Sequence, residues 1–267
     1  MKPYLFLHIP KTGGSSISNI LPTGRCSINN FFKNNKNNND MQNYGYAAPR
    51  HHYTLEQYGK IGLIDCDKLY KFTFVRNPWD RVVSIFHDWK AQNSQNARGG
   101  MKYMDEHFSN FVEYVLTPAL DSSVKQYAPI MLNARYSELT LGEQAMFDNL
   151  RQDHANTTYK NIQPREGCSF YYTAANGHYT PQVKYTHDKS NKQVVQFIGR
   201  FENLQDDYNR LSEICGWQSQ PSAIPHLNRS ERAKKDYRRY YEDGSGLAKH
   251  LVSEIYREDI EIYGYTF

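Results

Sequence analysis

The stretch LFLHIPKTGGSSI, Leu5 to Ile17, decides how this chain is read. With Tyr4 in front, it opens as a continuous apolar run from Tyr4 to Ile9, bounded by Pro10. A run without polar alternation is the pattern of a strand buried on both faces of a parallel sheet. Gly13, Gly14, Ser15 and Ser16 then open a helix that ends near Leu21, where Pro22 stops it. Strand, bare glycine turn and helix form a frame in which amides and hydroxyls cradle an anion and a lysine neutralises it. The residue order departs from the common nucleotide phosphate loop, in which the lysine directly follows the last glycine. Here Lys11 precedes Gly13, and no G-x-G-x-x-G dinucleotide pattern is present.

A second strand-to-helix unit lies in LYKFTFVRNPWDRVVSIFHDW, Leu69 to Trp89. Tyr70 to Val75 is strand-like, Asn77 suits a cap, and Pro78 suits the first helical position. Val82, Val83, Ile85, Phe86 and Trp89 then give one apolar helical face. This places Arg76 at the C-terminal end of a strand, where open α/β sheets bind ligands. Ser84 follows about two helical turns later. An arginine fork and a hydroxyl are partners expected of a second phosphate. Arg81 reads as a structural ion-pair partner of Asp80 or Asp88.

The rest of the chain is uneven. Residues 31–46 are asparagine-rich and read as a surface loop insertion. Residues 101–186 are the least legible span, although Phe108 to Val115 looks helical. Gln193 to Gly199 predicts a third strand, and Phe201 to Cys215 a helix stopped by Gly216. Glu231 to Tyr241 and Leu247 to Tyr263 predict two further helices. Strands separated by helices point to an α/β fold with a central parallel sheet flanked by helices, in a single domain over residues 1–267.

Composition narrows the function classes. The 267 residues carry a net charge of +4 and a pI near 8.7. That balance favours an anionic ligand and falls short of a dedicated nucleic-acid binder. The 22 tyrosines suit packing and also the lining of a sugar-binding cleft. Cys26, Cys66, Cys168 and Cys215 form no C-x-x-C pair, which gives a metal site little support and reads as reduced thiols. No apolar run reaches the roughly 20 residues of a membrane span, and Met1 to Ile9 does not have the form of a signal peptide. The expected setting is cytoplasmic, of bacterial type, with a clipped lumenal domain of a Golgi enzyme as the lesser alternative.

HIPKTGGSS and FTFVRNPWDRVVSIF together resemble the two cofactor motifs of sulfotransferases that use 3′-phosphoadenosine 5′-phosphosulfate (PAPS). The likeness is to the carbohydrate type that includes heparan 2-O- and chondroitin 4-O-sulfotransferases. FIGRFENLQDDYNRL (Phe197 to Leu211), PHLNRS (Pro225 to Ser230) and YREDIEIYGYTF at the C-terminus extend it over nearly the whole chain. The asparagine-rich insertion and residues 101–186 have no counterpart, which makes the latter the expected acceptor-specificity region.

The resemblance implies a P-loop-kinase-like sulfotransferase fold. It assigns Lys11, Thr12, Gly13, Gly14, Ser15 and Ser16 to the 5′-phosphosulfate, and Arg76 and Ser84 to the 3′-phosphate. It makes PHLNRS a late loop that closes on the donor, with Arg229 and Ser230 as contacts, and Asn203 a helix-start element. The implied reaction passes a sulfuryl group in line to an acceptor hydroxyl through a loose transition state, by analogy with phosphoryl transfer. Lys11 stabilises charge on the leaving phosphate, and a base takes the hydroxyl proton. Family members of this type carry a histidine before a short helix between the two motifs. APRHHYTLEQY, Ala47 to Tyr58, matches that position, with His52 the closer match and His51 next to it. His8 reads as packed at the strand end. No metal is expected, and the partner is a saccharide, with no nucleic acid. The rival readings are a nucleotide-dependent small-molecule kinase, disfavoured by the position of Lys11, and an inactive glycan- or nucleotide-binding module, disfavoured by Lys11 and the candidate base.

Overall fold

The computed structural model describes residues 4–22, 52, 54–56, 66–95, 107–112, 116, 178–217, 221–227, 232, 235–242 and 245–267. The asparagine-rich segment 31–46 lies outside them, as do residues 101–106, 113–115 and 117–177 of the expected acceptor-specificity region. In chain order the elements are β1 (Tyr4–Phe6), α1 (Gly14–Ile20), β2 (Tyr70–Val75), α2 (Pro78–Gln95), α3 (Phe108–Phe111), α4 (Val183–Thr186), β3 (Phe197–Arg200), α5 (Leu204–Cys215), α6 (Leu247–Ile255) and α7 (Arg257–Tyr263). Short 3-10 turns occupy Cys66–Lys68, Phe201–Asn203 and Tyr237–Tyr241. The chain forms two compact units. One comprises Met1–Tyr44, Ala48–Asn77 and Pro181–Arg229, and the other Gly45–Ala47, Pro78–Thr180 and Ser230–Phe267.

The first unit holds a three-stranded parallel sheet in the order β1-β2-β3. Tyr4 pairs with Tyr70 and Phe6 with Phe72, while Phe72 pairs with Phe197 and Phe74 with Gly199. Side chains alternate across a strand. One face therefore carries Tyr4, Phe6, Phe72, Phe74 and Phe197, which pack on Ile17 of α1 and on Tyr208, Leu211 and Cys215 of α5. The α5 residues recur at helical spacing, so they form one buried stripe. Each large apolar side chain removed from water there contributes about 1.5–3 kcal/mol.

Gly216, at φ 69°, ends α5 as expected. The Gly216 amide donates to the Glu213 carbonyl and the Trp217 amide to the Ser212 carbonyl. This closed turn drops Trp217 into the core, its ring 5.3 Å from that of Tyr4. At the other end, Asp207 accepts from the Arg200 amide at 2.7 Å and ties α5 to the end of β3.

The second unit packs α2 against the Tyr237–Tyr241 turn, α3 and α6. Phe86 meets Phe108 at 5.5 Å and Phe111 at 5.4 Å, and Phe108 meets Tyr241 at 4.8 Å. The buried Tyr241 hydroxyl donates to the Trp79 carbonyl at 2.9 Å, and burial, reinforced by Asp80, holds its phenol well above the ordinary range. Arg81 is buried and donates to the His178 carbonyl at 2.9 Å. Asp80 pairs with Arg232, and Asp88 lies 3.8 Å from His178.

Two expected helices differ in form. Over the described part of 231–241 there is only the Tyr237–Tyr241 turn, because Asp236 accepts from the Arg238 amide and starts it there. The span 247–263 is two helices broken at Tyr256, whose hydroxyl donates to the Tyr179 carbonyl at 2.8 Å. Among the described residues, no helix is long and apolar enough to cross a membrane.

Gly199 is where the sheet has least room. A Cβ there would lie 2.4 Å from the Phe74 ring, and Phe74 is fully buried between Phe6 and Phe197. A strand glycine marks such a close approach. Gly199→Ala is expected to lower stability by about 1–3 kcal/mol through overpacking, read as a fall in the urea midpoint with an unchanged slope.

Candidate functional site

All three strands run the same way, so the chain leaving each of them emerges at one edge of the sheet. Leu7 to Gly13 follow β1, Arg76 follows β2, and Phe201 follows β3. Leu7 extends the pairing, its amide donating to the Phe72 carbonyl at 2.9 Å, while the Thr73 hydroxyl donates to the Leu7 carbonyl at 2.6 Å. Beyond that point the chain turns sharply. The buried Thr12 hydroxyl donates to the Ile9 carbonyl at 2.9 Å and closes the turn, so Thr12 holds its shape. Lys11 at φ 66° and Gly13 at φ 83° both occupy the left-handed region. α1 then begins at Gly14.

Arg76 meets this turn directly. Its Nη1 donates to the Lys11 carbonyl at 3.0 Å, and its guanidinium lies 4.0 Å over the Phe201 ring. Stacking plus a directed donor uses both properties that distinguish arginine from lysine. The Arg76 backbone is held as firmly: its amide donates to the Gln182 side chain and its carbonyl accepts from the same amide group, both at 2.8 Å. The next amide, of Asn77, donates to Glu202 at 2.7 Å. The Arg76 guanidinium of one motif is thus held against the Lys11 main chain of the other by one hydrogen bond.

His8 lies against Gly14 at the end of that turn and meets His52. The His8 ring stacks on Phe6 at 5.5 Å, as expected of a packed strand-end residue, and presents an edge to His52 at 4.9 Å. Both histidines are buried, at 7% and 8% exposure. A Cβ on Gly14 would fall 2.0 Å from the His8 ring, so this glycine is what lets the imidazole lie on the start of α1. The His52 carbonyl accepts from the Tyr185 hydroxyl at 3.1 Å.

Ser15 is half-buried and Ser16 buried, and the Ser16 hydroxyl accepts from the Leu227 amide at 3.1 Å. Leu227 belongs to PHLNRS, so that segment is tied to the first turn of α1 two residues ahead of Arg229. Arg229, Ser230 and His51 lie outside the described residues. Ser84 is buried on α2 in the second unit. Asn203 stands at the start of α5, with no side-chain capping bond. Among the described residues, no group of three or more His, Cys, Asp or Glu is placed to hold a metal ion.

A family model described as the sulfotransferase family matches residues 2–266. The chain belongs to the sulfotransferase family. No curated protein and no solved structure matches it. Sulfotransferases move sulfuryl groups, and the family generally draws them from PAPS. The parallel sheet with its helices is consistent with that family's fold.

Four residues of this sulfotransferase's framework were not singled out from sequence: Gln182, Tyr185, Phe201 and Glu202. Phe201 and Glu202 sit inside the FENL stretch that carried part of the resemblance, and their place just past an expected strand was the available signal. Gln182 and Tyr185 had only their spacing of three, one helical turn, and nothing in sequence says what such a pair faces.

Gly14→Ala tests the contact between the turn and the histidines. The His8 ring is confined by Phe6 and His52, so it has little freedom to give way. The variant is expected to lose about 1–3 kcal/mol in urea denaturation, and an unchanged midpoint would contradict this packing.

Proposed function

We propose that this protein transfers a sulfuryl group from PAPS to a hydroxyl of a saccharide acceptor, in the manner of the heparan 2-O- and chondroitin 4-O-sulfotransferase type. The observation that carries the reading is the Arg76 hydrogen bond to the Lys11 carbonyl. It joins the two cationic motifs at the strand ends of a chain whose family draws on PAPS. A donor with two separate phosphate groups calls for two cations held a fixed distance apart. Lys11, Gly13, Gly14, Ser15 and Ser16 are the proposed partners of its 5′ end, with Thr12 shaping their turn, and Arg76 a proposed partner of its 3′-phosphate. The Leu227 anchor on Ser16 supports PHLNRS as a segment that closes over the same turn.

PAPS, when bound, supplies the sulfuryl group and leaves as 3′-phosphoadenosine 5′-phosphate (PAP). Lys11 stabilises the negative charge that grows at the 5′ end as the sulfur–oxygen bond to phosphate breaks. His52 accepts the proton of the acceptor hydroxyl as that oxygen bonds to sulfur, a role suited to a side chain whose ordinary pKa is about 6.5. The buried setting beside His8 keeps this base in one place. A cytoplasmic setting belongs to the same reading.

Thermal denaturation in the presence of nucleotide tests the donor. At 100 times its dissociation constant, PAP is expected to stabilise the fold by about 2.7 kcal/mol without magnesium. Arg76→Ala is expected to weaken PAP by about 1.5–3 kcal/mol, the worth of a charge-assisted bond. Stabilisation by ATP with magnesium and none by PAP would point to a kinase instead.

The base is tested by turnover of radiolabelled PAPS against a panel of glycans. His52→Ala is expected to lower turnover by roughly 10²–10⁴-fold while PAP affinity stays within twofold. Near-normal turnover in that variant, with loss in His51→Ala, would move the role by one residue.

A further inference from the structure

The turn of α4 carries two side chains that both bind main chain, and both of the residues they bind belong to the proposed site. Gln182 stands at its start and forms a closed pair with Arg76, accepting from the amide and donating to the carbonyl, each at 2.8 Å. Tyr185, three residues on, donates its hydroxyl to the carbonyl of His52 at 3.1 Å. Gln182 is fully buried, Tyr185 is 1% exposed, and their spacing puts them one above the other on one side of the turn. They span 106 and 133 residues of sequence.

A buried glutamine that accepts from the amide and donates to the carbonyl of one residue fixes that residue's plane, because breaking either bond takes a partner from buried polar groups. The tyrosine bond has a different merit. It engages the His52 main chain, so it fixes the backbone without occupying a ring nitrogen by that bond. The segment is itself anchored: the Val194 amide donates to the Thr186 carbonyl at 2.8 Å, and His187 and Gln193 form an antiparallel bridge. Asp188 closes that hairpin, accepting from the Ser190 amide and hydroxyl and from the Lys192 amide, and these bonds hold its carboxyl below the ordinary range.

We propose that Gln182 and Tyr185 are positioning residues, a single brace that sets the donor-binding Arg76 and the base His52 relative to each other. This rests on the reading of those two residues given above. The sequence placed 182–186 at the tail of an acceptor-specificity region; the brace gives this end of it a separate task, on the donor and the base.

The test uses the full chain labelled with ¹⁵N in its ten histidines, and the PAP dissociation constant from calorimetry. The His52 ring signal is assigned by its disappearance in His52→Gln. Tyr185→Phe removes one hydroxyl and keeps the packing; it is expected to shift or broaden the His52 ring signal, with PAP affinity within twofold of wild type. A His52 signal that superimposes on the wild-type one overturns Tyr185's part. Gln182→Met is expected to weaken PAP about tenfold, as for the loss of a buried hydrogen-bonded pair. Gln182→Glu keeps the acceptor for the Arg76 amide and loses the donor to its carbonyl; its expected loss is about threefold, and it carries the test should Gln182→Met fail to fold. Wild-type affinity in the folded variant overturns Gln182's part. Neither measurement uses turnover, so the brace can fail while His52→Ala still abolishes turnover. Wild-type protein that does not bind PAP overturns the donor reading and Gln182's part with it, while Tyr185's part is read without ligand.

Discussion

The parallel pairing of β1 with β2 is the constraint on which the site depends. Tyr4 opposite Tyr70 and Phe6 opposite Phe72 fix the register, and a slip of one residue would turn the aromatic face away from α1 and α5. Parallel direction does the functional part. An antiparallel partner would carry Arg76 to the far edge of the sheet from Lys11. Two parallel strands deliver both loops to one edge, where one hydrogen bond closes the distance. The hydrophobic term in β1, β2 and β3 thus holds a polar arrangement that has little cohesion of its own.

The lysine's place ahead of the glycines follows from the same geometry. In the common phosphate loop the lysine sits inside the helix start, behind the glycine turn. Here Lys11 lies in the turn itself, and Gly14 is kept bare for the His8 ring. A side chain longer than hydrogen at Gly14 would displace the imidazole that borders His52. The glycines therefore serve two neighbours: Gly13 reaches φ 83°, and Gly14 leaves room for a histidine.

The legible part of the fold was the part whose pattern is local. β2 runs from Tyr70 to Val75, the bounds its apolar run and Asn77-Pro78 indicate, and α5 stops at Gly216 because only glycine settles cheaply at φ 69°. β1 is shorter than its apolar run: Leu7 still bonds to β2, and Ile9 and Pro10 belong to the turn that Thr12 closes. The expected long final helix is two, because the Tyr256 backbone leaves the helical region at φ −107° and ψ 27°, at a residue whose side chain is tied to Tyr179, 77 residues away. The site follows the same division. Lys11, Arg76 and the histidines stand out by residue type beside glycine or at a strand end. Gln182 and Tyr185 act on backbone atoms of distant residues, and a backbone acceptor leaves no trace in the sequence of the residue that supplies it.

Lys11 shows how the arrangement holds against its own strain. A side chain at φ 66° costs about 1–2 kcal/mol relative to the right-handed region, and glycine there would cost far less. Glycine would also remove the ammonium, so the position sets conformational ease against charge. The carbonyl that this backbone turns outward is the one that Arg76 binds. A hydrogen bond from a charged donor is worth about 1.5–3 kcal/mol, enough to offset the strain. The strain therefore sits in one motif and part of its compensation 65 residues away in the other, beside the Thr12 bond that closes the turn from within. Strained backbone that persists because a distant residue over-determines it is found where a protein binds or reacts. In this chain it falls on Lys11, the lysine proposed above to stabilise the leaving phosphate.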